Sequence, residues 1–217
     1  MFDYYKTDGS FQLNNNKIIR HIVGGLILLI VVFGSFTIVS AGERGVVLRL
    51  GKVNRVIDSG LNFKLPILEH VEHLDVRTQK EEVSANSASK DLQIVSTVIA
   101  LNYHLLPDAV GELWNTIGAE YKIRVIDPAI QEAVKAVTAK YTAEELITKR
   151  ELVKDDIKAG LAERLEKDFI VVSELSIVNF DFSQSFNTAI EAKVTAEQNA
   201  LAAKNKLEQV KFEAEQR

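Results

Sequence analysis

The sequence contains no cysteine among its 217 residues. Disulfide bonds, thiolate metal sites, cysteine nucleophiles and the lipid-bearing cysteine of a lipoprotein are therefore excluded. The formal net charge of −4 leaves no excess of basic residues, so the composition predicts no nucleic-acid partner. Hydrophobic residues still make up 47% of the chain, which is enough to bury a core in one or two domains.

Motifs of catalysis are also absent from the sequence. No G-x-S-x-G nucleophile elbow occurs. Gly51-Lys52 resembles the end of a phosphate-binding loop, but Val53 stands where Ser or Thr is needed, so a turn glycine is the better interpretation. His70 and His73 lie three residues apart on a predicted strand, and hence on opposite faces, which argues against a shared metal ion.

One cluster of charged residues leaves two interpretations open. Asp75, Lys90 and Asp91 could form an active-site cluster or simply a salt-bridged loop, and the loop is favoured. We therefore predict that the protein is not an enzyme and has no catalytic residues, cofactor or metal ion.

An apolar segment near the N-terminus predicts a membrane anchor. Residues 22–39 carry no charge, and thirteen of these eighteen residues are Ile, Val, Leu or Phe. Their insertion into a bilayer is worth roughly −4 to −8 kcal/mol, and as a helix they would reach about 27 Å. We predict a polar tail over residues 1–21 and a transmembrane helix over residues 22–40. The residues assigned to the anchor are Ile22, Leu26, Leu29, Phe33 and Phe36.

A cleaved signal peptide is the alternative interpretation of this segment, because Val39-Ser40-Ala41 resembles a cleavage site. The apolar region of a signal peptide is about 7–15 residues long, which favours the uncleaved anchor. Lys17 and Arg20 precede the span, so the positive-inside rule places the short tail in the cytoplasm and the rest of the chain outside it. The prediction is a single-pass membrane protein.

From Gly42 the sequence changes to short β-like segments. The strongest strand pattern covers residues 92–105, which are apolar on both faces and are predicted to be covered on both sides. The polar segment "SANSASK", residues 84–90, is predicted to be a loop. Residues 41–106 together are predicted to form a β-rich lobe.

Residues 107–182 are predicted to form an α/β lobe. Asp127-Pro128 predicts a capped helix start, and capping boxes predict two more. These boxes are Thr142 with Glu145 and Thr148 with Glu151. The second box opens a long helix whose apolar face is formed by Val153, Ile157, Leu161 and Leu165. A final strand follows over residues 169–182, with a bulge predicted near Val178.

The last segment, "IEAKVTAEQNALAAKNKLEQVKFEAEQR", contains no Gly or Pro and consists mostly of strong helix formers. Ser183 or Ser185 is predicted to cap this helix. A helix that is polar on most sides needs a partner, so residues 183–217 are predicted to begin a coiled-coil stalk that is cut in mid-helix. The residues assigned to the coil are Ile190, Leu201, Leu207 and Phe212.

Large apolar residues in this helix recur at intervals of eleven, namely Ile190, Leu201 and Phe212. The same interval relates Ala192, Ala203 and Ala214. An eleven-residue period predicts straight or slightly right-handed helices. A heptad pattern through Ala200, Ala203, Leu207 and Val210, or a helix without fixed register, are the alternatives.

Five motifs in order carry a family resemblance. "ERGVVLRLGKV", "GLNFKLP" and "SKDLQIV" resemble the stomatin/prohibitin/flotillin (SPFH, Band 7) superfamily. "EYKIRVIDPAIQEAVKAVTAKYTAEELITKREL" and "FNTAIEAKVTAEQNA" are similar to its prohibitin branch. The resemblance covers about residues 41–217. Two departures are Asn62, where the family commonly has His, and the end at Arg217, where prohibitins continue along the coil.

The resemblance implies an α+β fold with a membrane anchor, an SPFH domain of two lobes and a coiled-coil helix. It implies a bacterial prohibitin-like protein of the plasma membrane that forms a ring or cage with copies of itself. Such a scaffold would organise membrane lipid and protein and restrain a membrane-bound AAA protease. A membrane-bound hydrolase, or a protease accessory subunit with its own catalytic site, is the alternative.

Overall fold

The boundary between the two structural units of the chain lies between Asp75 and Val76. The computed structural model describes residues 15–215. The β-rich lobe predicted over residues 41–106 is divided by this boundary, because its last two strands belong to the second unit. These strands share a sheet with a strand that follows the helices of the predicted α/β lobe.

Over residues 15–75, the first unit contains one helix and two small antiparallel sheets. Its elements are α1 (Asn15–Gly34), β1 (Phe36–Val39), β2 (Glu43–Arg49), β3 (Lys52–Ile57), β4 (Gly60–Phe63) and β5 (Glu69–Asp75). β1 pairs with β4, and the other sheet has the order β3-β2-β5. Leu50 and Gly51, with φ of 50° and 85°, connect β2 to β3 in the left-handed conformation typical of a two-residue hairpin turn. Gly51 is therefore a turn glycine, as predicted.

The predicted transmembrane helix over residues 22–40 needs a correction at its C-terminal end. α1 ends at Gly34, and Phe36 lies in β1 instead, because residues 36–39 find a pairing partner in β4. The polar tail predicted over residues 1–21 also differs, since residues 15–21 are helical. Residues 1–14 lie outside the described part of the chain.

Within residues 15–215, no helix meets the combined length and hydropathy needed to cross a membrane.

The second unit places helices against one antiparallel sheet of order β6-β7-β8. Its strands are β6 (Gln79–Ala88), β7 (Ile94–Leu105) and β8 (Ile170–Phe182). Its helices are α2 (Val110–Thr116), α3 (Asp127–Thr138), α4 (Ala143–Thr148), α5 (Arg150–Glu166) and α6 (Gln184–Glu215). A 3₁₀ turn, Pro107–Ala109, precedes α2, and a π-helical segment, Lys122–Ile126, precedes α3.

The core of this unit lies between the sheet and helices α3 and α5. One face of β7 contributes fully buried Val95, Ile99 and Leu101. The predicted apolar face of α5 is confirmed, because Val153, Ile157, Leu161 and Leu165 are all fully buried.

β7 is fully covered on one face and only partly covered on the other, where Ala100 is 8% exposed, so the prediction that both faces are covered was only partly right. Ile94 is 67% exposed, and Ser96, Val98 and Asn102 on the same face are half-buried. The predicted loop over residues 84–90 is also wrong, because β6 pairs with β7 as far as Ala88. Val83 and Ala85 of β6 are buried and lie two residues apart, which is the period of a strand. This alternation identifies a strand although the segment is otherwise polar.

The predicted bulge in the last strand is confirmed. Ile177 pairs with Ile99 and Asn179 with Val98, which leaves Val178 as the extra residue.

The observed helix starts agree in part with those predicted from the sequence. Thr142 Oγ1 accepts a hydrogen bond from Glu145 N at 3.2 Å, and Thr142 N donates to the Glu145 carboxylate at 3.1 Å, so this capping box is confirmed. The box predicted at Thr148 is wrong, because its hydroxyl donates to the Glu144 carbonyl within α4. Asp127 does not cap α3 either, since the helical backbone already begins in the π-helical segment.

Candidate membrane and assembly surfaces

Asp91 forms hydrogen bonds that connect its loop to α4. Its carboxylate accepts hydrogen bonds from Ser89 Oγ at 2.6 Å and from Ala143 N at 3.0 Å. These two donors, the Ser89 hydroxyl foremost, lower the pKa of Asp91 against the opposing effect of burial. The loop that contains Lys90 and Asp91 is thereby joined to the start of α4, while Asp75 belongs to the other unit.

The histidines of β5 have separate acidic neighbours. His70 Nε2 lies 3.1 Å from Glu72, and His73 Nδ1 lies 3.3 Å from Glu43. Over the described residues, no group of three or more His, Asp and Glu side chains is placed to hold a metal ion.

An ion pair between the partly exposed Arg55 and the buried Glu69 connects segments of the first unit. The Glu69 side chain is 1% exposed and accepts two hydrogen bonds from Arg55, at 2.8 and 3.0 Å. Glu69 also accepts a hydrogen bond from Leu65 N at 3.0 Å, while Arg55 donates to the Phe63 carbonyl at 2.9 Å. The Arg55 contact, followed by the Leu65 amide, lowers the pKa of Glu69 to about 2. This pair fixes the loop that connects β4 to β5.

This loop and the β2–β3 turn present an apolar tip, which consists of Leu50, Ile67 and Leu68. Ile67 is 98% exposed and Leu50 is 82% exposed. Leu50 N donates to the Leu68 carbonyl at 3.2 Å, which links the two segments. Ile67 has φ of 73°, a left-handed conformation that is unfavourable for a β-branched residue. Three exposed apolar side chains held together in this way make the apolar tip a candidate binding surface.

The β1–β4 pair forms a second apolar surface, the apolar ribbon, which consists of Phe36, Ile38, Leu61 and Phe63. Phe36 pairs with Phe63 and Ile38 with Leu61, so all four side chains lie on one face. The two aromatic rings meet edge to face at a centroid distance of 6.0 Å. All four side chains are exposed, from 48% for Phe36 to 72% for Ile38.

The residues assigned to the anchor are exposed as well. Ile22, Leu26, Leu29 and Phe33 lie on α1 and are between 55% and 75% exposed. Phe36 lies on the apolar ribbon instead. Soluble monomers rarely expose contiguous apolar patches of this kind. The described part of the first unit therefore exposes more apolar surface than is usual for a soluble monomer.

α6 carries the residues that the sequence assigned to the coil. Of the residues assigned to the coil, Ile190 is half-buried, whereas Leu201, Leu207 and Phe212 are 53%, 56% and 63% exposed. The predicted cap at Ser183 is present, since its hydroxyl accepts a hydrogen bond from Phe186 N at 3.3 Å. The helix is confirmed, while its coiled-coil packing stays a prediction.

A groove lies where α6 passes α4. It has a volume of about 200 Å³ and is lined by Ile147 of α4 and by Phe186, Ile190 and Val194 of α6. Lys193 Nζ lies 3.3 Å from the Glu144 carboxylate at its edge. Ile147 remains 55% exposed, so the groove is only partly filled by its own chain.

The sequence reasoning missed the Arg55–Glu69 pair, the apolar ribbon and the apolar tip. The alternation of Leu61 and Phe63 around Asn62 was a usable signal for the ribbon. No sequence pattern predicted the apolar tip. Leu50 and Ile67 adopt a left-handed conformation, which is not expected for large apolar residues.

Comparison with known proteins gives a consistent result. The SPFH domain / Band 7 family matches residues 37–216. Prohibitin-7, mitochondrial, from Arabidopsis thaliana is 35% identical over 84% of this chain and 66% of its own length. Prohibitin-2 from Gallus gallus is 31% identical over 84% of this chain and 62% of its own length.

A third relative is the "mitochondrial prohibitin complex protein 1" of Caenorhabditis elegans, which is 31% identical over 81% of this chain and 66% of its own length. The chain thus spans slightly less than two thirds of the length of these relatives.

Proposed function

The chain belongs to the SPFH domain / Band 7 family and to its prohibitin branch, and from this premise we propose that it is a membrane-anchored scaffold that assembles with copies of itself. The observation that carries the proposal is the uncovered apolar surface of the first unit, formed by α1, the apolar ribbon and the apolar tip. A lipid bilayer is the partner whose chemistry fits all three.

α1 is proposed to be the anchor, in a single pass, with the ribbon directly after it at the bilayer surface. Ser35 alone separates Gly34 from Phe36, so the ribbon cannot be far from the end of the helix. Lys17 and Arg20 favour the N-terminal side of α1 in the cytoplasm and the SPFH domain on the other side of a bacterial plasma membrane.

Assembly is proposed to use α6, whose Leu201, Leu207 and Phe212 are left exposed by the described residues. The relative from Caenorhabditis elegans is named as a protein of the mitochondrial prohibitin complex, which agrees with this part of the proposal. The open face of β7 offers further surface for a neighbouring copy. Many identical neighbours in a closed ring would leave no helix unsupported.

The organisation of a membrane microdomain and the restraint of a membrane-bound AAA protease belong to the proposal through the family resemblance alone. The alternative of a hydrolase gains no support from the described charged clusters. Asp91 is hydrogen-bonded between Ser89 and Ala143, and Glu69 is paired with Arg55.

The test uses the full chain in membranes, washed at alkaline pH and then solubilised in a mild detergent. We expect the chain to stay with the membranes during the wash and to migrate as a large particle in native electrophoresis. Release by the wash would contradict the anchor. A monomer after solubilisation would contradict the scaffold.

A further inference from the structure

The loop that carries the apolar tip is attached to the end of α1. Pro66, which precedes Ile67, lies so close to the last residue of α1 that a Cβ added at Gly34 would be 3.4 Å from the Pro66 Cβ. Two residues earlier, Lys64 N donates a hydrogen bond to the Ser35 carbonyl at 2.8 Å. The loop is thereby fixed beside the C-terminal end of α1, so an anchored α1 places the apolar tip at the bilayer surface.

Basic residues accompany the apolar tip in both of its segments. Arg49 and Lys52 flank the β2–β3 turn and are paired in the strand register, so they lie on the same face of the hairpin. Both are exposed, and the half-buried Lys64 begins the loop between β4 and β5. Among the side chains that the structure describes, no carboxylate forms an ion pair with these three residues. We name Arg49, Lys52 and Lys64 the basic rim.

The acidic residues of β5 nearest the apolar tip already have neighbours. Glu69 stands opposite Arg49 in the strand register, but its side chain is 1% exposed and is bound by Arg55. Glu72, the next acidic residue of β5, lies 3.1 Å from His70. Arg55 and the basic rim together carry four positive charges against the two negative charges of these glutamates. This end of the sheet therefore has an excess of positive charge that attracts an anion.

A cleft at the apolar tip shows which kind of anion fits. It has a volume of about 440 Å³, and Leu50, Ile67 and Leu68 form its apolar wall. The polar residues that line it are His70 and the ion-paired Glu69. An apolar wall beside a basic rim fits an amphiphilic anion better than a free inorganic ion. Anionic phospholipids have this chemistry, and a bilayer presents them at the level of the apolar tip.

We infer that the basic rim and the apolar tip together select anionic phospholipids from the bilayer around α1. The lipid phosphates bind the basic rim, while Leu50 and Ile67 enter the apolar region below the headgroups. This inference rests on the proposed membrane anchor, and it adds the class of lipid and the residues that recognise it. Because the recognition is electrostatic and exposed to solvent, it weakens at high salt concentration.

The test uses the full chain in vesicles of phosphatidylcholine and phosphatidylglycerol, with a fluorophore on Leu50→Cys. The chain has no other cysteine, so a single site is labelled. Bromine atoms that quench the fluorophore are placed on the acyl chains of one lipid or the other, at equal mole fractions of brominated lipid. We expect brominated phosphatidylglycerol to quench at least about twofold more strongly than brominated phosphatidylcholine. The difference should disappear in about 1 M sodium chloride, where the screening length is only about 3 Å.

Three charge variants of the labelled chain make the comparison specific. The first removes the charges of the basic rim and should lower the ratio of the two quenching values to about one. It combines Arg49→Gln, Lys52→Gln and Lys64→Gln. The second keeps these charges and should keep the ratio. It combines Arg49→Lys, Lys52→Arg and Lys64→Arg.

The third variant is the matched control and removes three exposed lysines of the second unit. It combines Lys135→Gln, Lys140→Gln and Lys167→Gln. The ratio should stay at the value of the labelled chain without charge changes, because these lysines lie outside the proposed lipid site.

The outcomes separate this inference from the proposed function. Equal quenching by the two lipids, or an unchanged ratio in the glutamine variant of the basic rim, would overturn lipid selection and leave the anchor standing. A ratio that falls further in inorganic phosphate than in sodium chloride of equal ionic strength would show a site for free phosphate instead, and would also overturn it. Release of the unaltered chain from the vesicles by an alkaline wash would overturn both the anchor and the inference.

Discussion

Arg55 of β3 donates hydrogen bonds to both carboxylate oxygens of Glu69 in β5, at 2.8 and 3.0 Å. The Glu69 side chain is 1% exposed, and it also accepts hydrogen bonds from Leu65 N and from Asn54 Nδ2. This contact joins β3 to the loop that carries Ile67. The conformation of the loop that carries the apolar tip is therefore stabilised by this ion pair.

Acid should weaken the first unit. The pKa of Glu69 is lowered to about 2 in the folded chain, mainly by Arg55, and lies near 4.3 in an unfolded chain. A lowered folded-state pKa gives stability that is fully present above the unfolded value and is lost as the pH falls from about 4.3 toward 2. Thermal unfolding of the solubilised chain across this range measures the loss.

Glu69→Gln should reduce the loss of thermal stability at acid pH, because the carboxyl group that titrates is gone. Glu145 also has a pKa lowered to about 2, through Lys149 foremost, so Glu145→Gln is the matched comparison in the second unit. If Glu69→Gln lost as much stability at acid pH as the unaltered chain, the assignment of this loss to Glu69 would be contradicted.

The Thr142 cap should contribute measurably to stability. Thr142→Ala removes the acceptor for Glu145 N and should lower the free energy of unfolding by about 0.5–2 kcal/mol. Thr148→Ala is the control, since Thr148 is exposed and caps no helix, and its effect should stay within about 0.5 kcal/mol. Denaturant titration of both variants makes the comparison. Equal losses would show that the capping box is not the stabilising feature.

A charge in α1 should weaken anchoring. Ile30→Lys should cost about 3 kcal/mol of insertion free energy, because lysine at the centre of a membrane helix is strongly unfavourable. The fraction retained after an alkaline wash measures anchoring. Ile123→Lys is the matched control, as Ile123 is 71% exposed in the second unit. Retention of Ile30→Lys at the level of Ile123→Lys would argue against α1 as the anchor.

The apolar tip should contact lipid. An environment-sensitive fluorophore on Ile67→Cys should report an apolar surrounding in membranes. The same label on Leu92→Cys should report water, although Leu92 is likewise exposed, at 84%, and left-handed, with φ of 61°. Similar spectra at the two sites would contradict a lipid contact specific to the first unit.

The proposed orientation rests on Lys17 and Arg20 near the start of α1. In intact cells, an impermeant thiol reagent should label Ser84→Cys and leave Ser10→Cys unlabelled until the membrane is permeabilised. Ser84 is exposed on β6, and Ser10 lies outside the described residues. The reverse labelling pattern would invert the proposed topology.

Local patterns in the sequence determined the parts of the fold whose hydrogen bonds or packing are themselves local. The spacing of Val153, Ile157, Leu161 and Leu165 predicted the buried face of α5, because helix period alone brings them to one side. The Thr142–Glu145 box and the bulge at Val178 were likewise readable, since each is decided within a few residues. The ordered motifs also determined the family.

Tertiary structure decided the features that depend on partners distant in the chain. Phe36–Val39 became a strand rather than the end of α1 because β4, more than twenty residues later, supplies its hydrogen bonds. The polar residues 84–88 became strand because β7 pairs with them. Arg55 and Glu69 meet only once β3 and β5 have flanked β2. Their contact holds Ile67 outward, at a conformation that no local preference of isoleucine would select.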